Sequence, residues 1–224
     1  MPRKKVINNR MQDRKLLNIE LGRVSAQEYR ELPEEGIVVV LDNVRSAHNV
    51  GSVFRSADSF KVDRMVLCGI CPTPPSAEIH KSALGAENSV PWTHEQRTED
   101  AVRKLREEGY AIVSVEQTVH SVKLDRFEPY GDMGGYGTSG DNINKDKDIA
   151  SESGHGGMRK KYALVFGNEV DGVSQEVVDM SDFALEIPQF GTKHSLNISV
   201  SAGVVLWHFR LSALRHMGGR TAKD

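Results

Sequence analysis

The sequence predicts an α/β fold in which helices cover both faces of a parallel sheet. Three nearly continuous apolar runs, at 36–42, 111–115 and 162–166, have the pattern of strands that are buried on both sides. Helical segments separate the predicted strands, as crossover connections between parallel strands require. A chain of 224 residues is long enough for one sizeable core.

The chain begins with a basic arm and a short helix, which together form a predicted segment 1–35. Residues 1–15 contain one acidic residue and the basic residues Arg3, Lys4, Lys5, Arg10, Arg14 and Lys15. Such an arm can contact phosphates or remain a solvated tail, and the sequence favours neither. Ser25 and Glu28 form the capping box of a helix that ends at Pro33.

From residue 36 onward, strands and helices alternate. A polar loop after the first strand leads into a helix that runs to about Phe60, with Gly51 and Arg55 predicted opposite its apolar face. The elements that follow are a strand at 64–68, a short helix and a turn within 79–92, a helix at 99–108 capped by Thr98, and the strand 111–115. This order supports the parallel sheet.

Residues 131–161 interrupt the alternation. They hold eight of the 20 glycines, few apolar residues and a mixed run of charges, so we expect a mobile insertion. The glycines at 131–137 are not a dinucleotide-binding fingerprint, because no strand precedes them and no helix follows. The predicted main domain, 36–217, contains this insertion, and a tail, 218–224, ends the chain.

The last part of the chain returns to regular structure. Its predicted elements are the strand 162–166, a glycine-containing turn up to Gly172, a helix from Ser174 to Met180, a strand at 183–187, and a long helix from about Ser195 to Met217. The loop before the long helix contains glycine, and such a loop can bring backbone N–H groups up to a small ligand. Ser195 or Asn197 can also simply cap that helix.

Composition excludes several classes of protein. The formal net charge of −2 gives no overall case for nucleic-acid binding, which must rest on local clusters. Cys68 and Cys71 lack the second pair that a zinc site needs, so we predict reduced thiols at a strand end and no metal. No run is long enough to span a membrane and no charged-then-apolar leader opens the sequence, so we expect a cytoplasmic protein.

Three segments carry a family resemblance, each at a strand end with a helix following. They are Asn49-Val-Gly-Ser-Val-Phe-Arg55, Gly167-Asn168-Glu169 with Gly172, and the loop from Ile187 to Asn197. Together they resemble the motifs of the SpoU/TrmH family of SPOUT RNA methyltransferases. The resemblance covers the chain from about Gly36 to Leu214, apart from the insertion.

The resemblance implies a SPOUT-like fold and an activity. It implies a C-terminal trefoil knot, a homodimer, S-adenosylmethionine as cofactor, and methyl transfer to a ribose 2′-hydroxyl of structured RNA, with tRNA ahead of rRNA. Catalytic roles are implied for Arg55, Glu169, Ser195, Asn197 and Asn49. Cofactor contacts are implied for Gly167, Ile187 and Leu196, and for Glu116 and Gln117 in the loop after strand 111–115. RNA contacts are expected for Arg3, Lys4, Lys5, Arg10 and Arg55.

Each of these residues has a structural alternative. Asn49 can cap its helix, Arg55 can form a surface ion pair, and Glu169 can be a solvated turn carboxylate. For Arg55 we expect phosphate binding and stabilisation of developing negative charge, because a guanidinium is hard to deprotonate.

Two departures from the family pattern bear on the substrate. The insertion falls where the family is usually compact, and the longer terminal helices of tRNA-specific members are not found. We find no separate RNA-binding domain before Gly36, and therefore expect the core surface to help bind RNA. The alternative functions are a SPOUT base methyltransferase, which Arg55 argues against, and a catalytically silent RNA-binding homologue, which the intact motif residues argue against.

Overall fold

The computed structural model describes residues 14–130 and 160–216. Its strands, in chain order, are β1 (Ile37–Asp42), β2 (Arg64–Cys68), β3 (Trp92–Glu95), β4 (Tyr110–Val115), β5 (Val122–Lys123), β6 (Lys161–Phe166) and β7 (Phe183–Glu186). They form one parallel sheet in the order β3-β2-β1-β6-β4-β7-β5. The predicted parallel sheet is therefore confirmed.

Helices connect the strands and pack on the sheet. They are α1 (Ala26–Glu31), α2 (Ala47–Ser59), α3 (Ala77–Ala83), α4 (Ala86–Ser89), α5 (Thr98–Glu107), α6 (Gln175–Met180) and α7 (Ile198–His216), with 3₁₀ turns at Asn18–Leu21 and Leu124–Arg126. The capping box predicted at Ser25 is present at the start of α1. Tyr29 of α1 is buried, and its hydroxyl donates hydrogen bonds to the carbonyls of Ala57 and Val62.

Two apolar layers hold the helices to the sheet. Val39 and Leu41 of β1 face the layer that contains the buried sides of α2 and α7. Val38 and Val40 point the other way, into the layer formed with α5 and α6. Because successive strand residues alternate between the faces, a continuous apolar strand needs a cover on each side. Helices on both faces are thus confirmed.

One predicted helix face is wrong at Gly51. Val50, Val53, Phe54 and Ala57 are buried as expected, but Gly51 is buried too. A Cβ atom at position 51 would lie 2.1 Å from Oγ of Ser82 and 2.4 Å from the carbonyl oxygen of Ile79. The missing side chain is what allows α3 to approach α2 this closely.

Two further predictions are wrong, and two short strands were missed. Thr98 does not cap α5; Arg97 occupies the N-cap position, and the Thr98 hydroxyl instead donates to Oδ1 of Asp42 at 2.5 Å. The long helix α7 begins at Ile198 rather than at Ser195. The strands β3 and β5 were not predicted, because both are short and their residues are exposed or half-buried.

Several predictions fall outside the described residues. These are the basic side chains Arg3, Lys4, Lys5 and Arg10, residues 131–159 of the insertion, and the tail 218–224. The predicted insertion extends too far at its end, because Lys161 already opens β6. Among the helices of the described residues, none is both long and apolar enough to cross a membrane.

Candidate active site

The carboxyl ends of four neighbouring strands meet along one side of the sheet, which we call the carboxyl edge. These strands are β1, β6, β4 and β7 in sheet order. The residues that follow them include Asn49 after β1, Gly167–Gly172 after β6, Glu116 and Gln117 after β4, and Ile187–Asn197 after β7. Ligands of open parallel sheets bind outside the carboxyl ends of the strands, so this edge is the candidate site.

Asn49 joins the three sequence motifs through hydrogen bonds. Its Nδ2 donates to Oε1 of Glu169 at 2.8 Å, and its Oδ1 accepts a hydrogen bond from Nδ2 of Asn197 at 3.2 Å. The side chain is buried in the first turns of α2. An amide suits this place because it offers a donor and an acceptor at once. Glu169, Asn49 and Asn197 therefore form one hydrogen-bonded chain, which we call the motif triad.

The carboxylate of Glu169 is exposed but well supplied with donors. Partial burial raises its pKa, yet hydrogen bonds from Asn49 and from the main-chain N–H groups of Glu169, Arg45 and Ser46 outweigh this effect. The net result is a pKa below the ordinary value. Glu169 therefore presents a negative charge to solvent at neutral pH, which suits a cationic ligand.

The turn that carries Glu169 is closed by its own backbone. Asn168 and Gly172 exchange main-chain hydrogen bonds of 3.1 and 3.2 Å. Position 167 has no room for a side chain, because a Cβ atom there would lie 1.8 Å from the carbonyl carbon of Gly172. Gly172 itself has φ of +70°, a conformation that glycine adopts without strain. Both glycines are thus required by the geometry of the turn.

Glu116 and Gln117 connect the loops of the carboxyl edge. Oε2 of Glu116 accepts a hydrogen bond from the Val173 N–H at 3.1 Å, and its Oε1 accepts one from the Gln117 N–H at 2.8 Å. Nε2 of Gln117 donates to the carbonyl of His194 at 3.0 Å. These contacts give the two residues a loop-holding role at the edge, and their contact with a cofactor stays a prediction.

The loop before α7 brings the remaining candidates to the same edge. Ile187 is half-buried against the core, whereas Leu196 is 40% exposed and Ser195 is exposed. Oδ1 of Asn197 accepts a hydrogen bond from the Ser199 N–H at 2.9 Å and so caps α7. Asn197 therefore combines the capping role with its place in the motif triad.

Arg55 lies on a different side of α2 from Asn49. Six residues along an α-helix turn the side chain by about 120°. Arg55 is exposed, and none of the ion pairs among the described residues includes it. It lines a groove of about 520 Å³ together with Ser52, Ser56, Ser59, Phe60, Ser82, Ser199 and Gly203. The guanidinium is therefore available to a phosphate.

The sequence analysis missed one residue of this edge, Asp42, which ends β1. Its side chain is only 1% exposed and accepts hydrogen bonds from the adjacent Asn43 and from two distant residues, Thr98 and Ser174. The available signal was an acid placed directly after a continuous apolar strand.

The two cysteines of the sequence lie at the end of β2 and three residues beyond it. Cys68 and Cys71 are buried and free, as predicted, and burial raises their pKa to about 12 and about 11. Within residues 14–130 and 160–216, no group of three or more His, Cys, Asp or Glu side chains could hold a metal ion. The edge offers main-chain groups, apolar surface and a carboxylate instead.

Comparison with known proteins identifies relatives of this chain. The model of the SpoU rRNA Methylase family matches residues 36–207. The chain is 30% identical over 193 residues to the 23S rRNA (guanosine-2'-O-)-methyltransferase RlmB of Nitrosomonas europaea, covering 84% of the chain and 61% of the relative. It is 26% identical over 184 residues to the tRNA (guanosine(18)-2'-O)-methyltransferase of Aquifex aeolicus, covering 81% and 72%. It spans 58% of the length of the RlmB of Neisseria meningitidis serogroup B, with 29% identity over 175 residues and 78% of the chain covered.

Solved structures share the fold. The TrmH/SpoU tRNA modifying enzyme of A. aeolicus superposes with a TM-score of 0.64 at 21% identity, covering 85% of the chain and 83% of that structure. The AdoMet-bound rRNA methyltransferase of Sinorhizobium meliloti superposes with a TM-score of 0.63 at 24% identity, covering 85% and 61%.

Proposed function

Because the chain belongs to the SpoU rRNA methylase family, we propose that it transfers a methyl group from S-adenosylmethionine to a ribose 2′-hydroxyl of structured RNA. The observation that carries the proposal is the motif triad, which joins the three family motifs at the carboxyl edge. Since relatives named for tRNA and for rRNA both match, the choice of RNA is part of the proposal. We keep tRNA as the first substrate to test, and the cytoplasm as the expected location.

The residues of the carboxyl edge fit S-adenosylmethionine. When bound, this cofactor supplies a methyl group on a positively charged sulfur, which is already electrophilic. The exposed carboxylate of Glu169 complements that charge. Gly167 lets the turn that carries Glu169 close on itself, and its main chain is assigned to the cofactor site together with Ile187 and Leu196, which offer apolar surface for an adenosyl group.

The protein contributes alignment and electrostatic stabilisation. Arg55 holds the phosphate beside the target ribose and stabilises the negative charge that develops on the 2′-oxygen. Asn49 keeps Glu169 and Asn197 in fixed positions, so that the two reacting groups meet in line. We assign a contact with the substrate ribose to Ser195, which is exposed two residues before Asn197.

We also propose that the protein is a homodimer in which Arg55 serves the site of the partner subunit. Helix α7 is apolar on the side that faces the core, and it carries a second, largely exposed apolar stripe that requires a cover. Its uncovered stripe, with residues three and four apart, consists of Val200 (50% exposed), Val204 (39%), Trp207 (49%), the half-buried Leu211 and Leu214 (38%). Arg55 borders α7 through the groove, which it shares with Ser199 and Gly203 of that helix.

The trefoil knot implied by the family stays part of the proposal. Helix α7 contacts both α2 and the segment 127–130. The Tyr130 N–H donates to Oγ of Ser212 at 3.3 Å, and Nε2 of His208 lies 2.6 Å from the Phe127 carbonyl oxygen. These contacts support a threaded α7. The knot is tested by stretching single molecules by their two termini and measuring the end-to-end length. A knotted chain stays shorter at full extension than an unknotted chain with the same number of residues.

The activity is tested by mapping the methylated nucleotide. Purified protein is incubated with methyl-labelled S-adenosylmethionine and separated tRNA and rRNA fractions, and the digested nucleosides are identified by mass spectrometry. We expect label in a 2′-O-methyl nucleoside. Label in a base would instead favour a base methyltransferase, and binding of RNA without any transfer would favour a silent homologue.

The dimer is tested by Val204→Glu, with Ile70→Glu as the matched control on an exposed loop. We expect the first variant alone to halve the particle mass in light scattering. A second experiment tests whether the two subunits share each site. Equal amounts of Arg55→Ala and Glu169→Ala chains are unfolded, mixed and refolded together. If Arg55 acts on the partner, about a quarter of the wild-type activity returns, because half the dimers regain one intact site. No recovery would place Arg55 in its own subunit's site.

A further inference from the structure

We infer that Asp42 is a positioning residue, which holds the turn carrying Glu169 in its binding-competent form through the main chain of Ser174. Oδ2 of Asp42 accepts a hydrogen bond from the Ser174 N–H at 2.9 Å. Its Oδ1 accepts hydrogen bonds from Oγ1 of Thr98 at 2.5 Å and from Nδ2 of Asn43 at 2.9 Å. The inference rests on the proposed cofactor site, to which Asp42 itself contributes no exposed surface.

The segment 167–174 is attached to the rest of the carboxyl edge at three points. Asn49 holds Glu169, Glu116 holds the Val173 N–H, and Asp42 holds the Ser174 N–H. The first of these anchors is part of the motif triad, and the second comes from the loop after β4. Asp42 is the innermost anchor, because its carboxylate ends the buried strand β1 and cannot follow a loop movement.

The chemistry of Asp42 explains why an acid stands there. Three donors converge on its carboxylate from the start of α5, from the start of α6 and from the neighbouring residue. The Ser174 side chain makes no capping bond in α6, and Asp42 satisfies one N–H group of this helix start, that of Ser174 itself. Removing the carboxylate takes the acceptor from this half-buried N–H, and the turn then populates open forms.

A matched control lies at the opposite end of the sheet. Asp63 stands directly before β2, is 9% exposed and accepts hydrogen bonds from the main-chain N–H groups of Glu35, Gly36 and Ile37. Like Asp42, it is a buried carboxylate that satisfies three donors. It differs in lying far from the carboxyl edge, at the end where β1 begins.

The experiment compares Asp42→Ala with Asp63→Ala. Amide hydrogen exchange in the protein without cofactor reports turn opening, and calorimetric titration with S-adenosylmethionine reports binding. For Asp42→Ala we expect exchange across 168–174 to rise and affinity to fall by about tenfold, since only the closed fraction of molecules binds. For Asp63→Ala we expect both quantities to stay within about twofold of the wild type once the fold is intact.

Each outcome decides the inference. Unchanged exchange in Asp42→Ala, or an equal rise across 168–174 in both variants, overturns it. If Asp42→Ala does not fold, Ser174→Pro replaces it: the backbone φ of −58° at Ser174 suits proline, and the change removes the N–H that donates to Asp42 together with a hydroxyl that makes no capping bond. If the wild type binds no S-adenosylmethionine, the proposed function fails, while the exchange measurement still decides the role of Asp42.

Discussion

The carboxylates at the two ends of the parallel sheet differ in the hydrogen-bond donors that they accept from. At the amino end of the strands, Asp63 binds three consecutive main-chain N–H groups of one segment, 35–37, and this end is closed by its own backbone. At the carboxyl edge, Asp42 and Glu116 bind donors from separate segments, and Glu169 remains exposed beside them. The first end maintains the fold, whereas the second holds loops in place around an open site.

The contrast follows from the geometry of parallel strands. All carboxyl ends meet on one side, so loops from distant parts of the chain converge there and must be fixed to one another. Side chains do this work because loop backbones lack a regular partner. A substitution at the carboxyl edge should therefore change activity more than stability, and a substitution at the amino end should do the reverse.

The largest expected effect is on activity, from Arg55→Ala. Arg55 supplies the only guanidinium among the described residues that line the groove, and its loss removes charge stabilisation from the proposed transfer. We therefore expect methylation to fall about 1000-fold with little change in melting temperature. Arg64, at the first position of β2 and paired with Glu108, is the control. Arg64→Ala should keep the methylation rate of the wild type. Equal losses of activity in both variants would contradict a special role of Arg55.

Asp63→Ala should give the largest change in stability. Three main-chain N–H groups lose their acceptor, so we expect the free energy of unfolding to fall by about 3 kcal/mol. Urea denaturation measures this change, and methylation by the fraction that stays folded should be nearly normal. A variant that is stable but inactive would show that the amino end also serves the site.

Asn49→Ala should change the acid response of the carboxyl edge. Because the folded-state pKa of Glu169 is lowered, its ionised form stabilises the fold above the ordinary carboxyl pKa, and this contribution is lost as pH falls through the folded pKa. Without Asn49 the pKa of Glu169 rises toward the ordinary value, so the contribution becomes smaller and its loss is complete at a higher pH. An NMR titration of the Glu169 carboxyl carbon measures the shift, and we expect methylation to fall about tenfold.

The control for Asn49→Ala is Ser46→Ala. Oγ of Ser46 caps α2 by accepting a hydrogen bond from the Asn49 N–H, so its loss weakens the helix start without breaking the motif triad. Ser46→Ala should leave the titration of Glu169 unchanged. An equal shift in both variants would assign the effect to the helix start.

The smallest expected effect comes from Tyr29→Phe at the amino side of the core. The hydroxyl donates to the Val62 carbonyl at 2.9 Å, and its removal should lower the free energy of unfolding by about 1 kcal/mol. Thermal melting measures the change, and the methylation rate should not move. A loss of methylation activity in Tyr29→Phe would contradict the expectation that substitutions at the amino end change stability more than activity.

Much of the fold followed from local patterns. The continuous run in β1 and the apolar face of α2 predicted their burial, because those patterns report what the side chains must pack against. Gly51 broke the pattern, since its burial depends on contact with α3 rather than on its own polarity. The short strands β3 and β5 carry too few apolar residues to be recognised.

The residues of the site were predictable as a set, but their connections were not. Motif resemblance located Asn49, Glu169 and Asn197 separately, and nothing in their spacing indicated that Asn49 binds both of the others. Asp42 had no motif, so its hydrogen bonds from Thr98 and Ser174 emerged only when β1, α5 and α6 were placed together.

By itself, the sequence determined which segments are strands and helices, which faces they bury, and which polar residues stand at strand ends. The tertiary structure decided which strand ends are neighbours, and therefore which loops share hydrogen bonds. The physical reason is that periodicity reports a residue's local surroundings, whereas contact between Asn49 and Glu169 depends on a sheet order that places β6 beside β1.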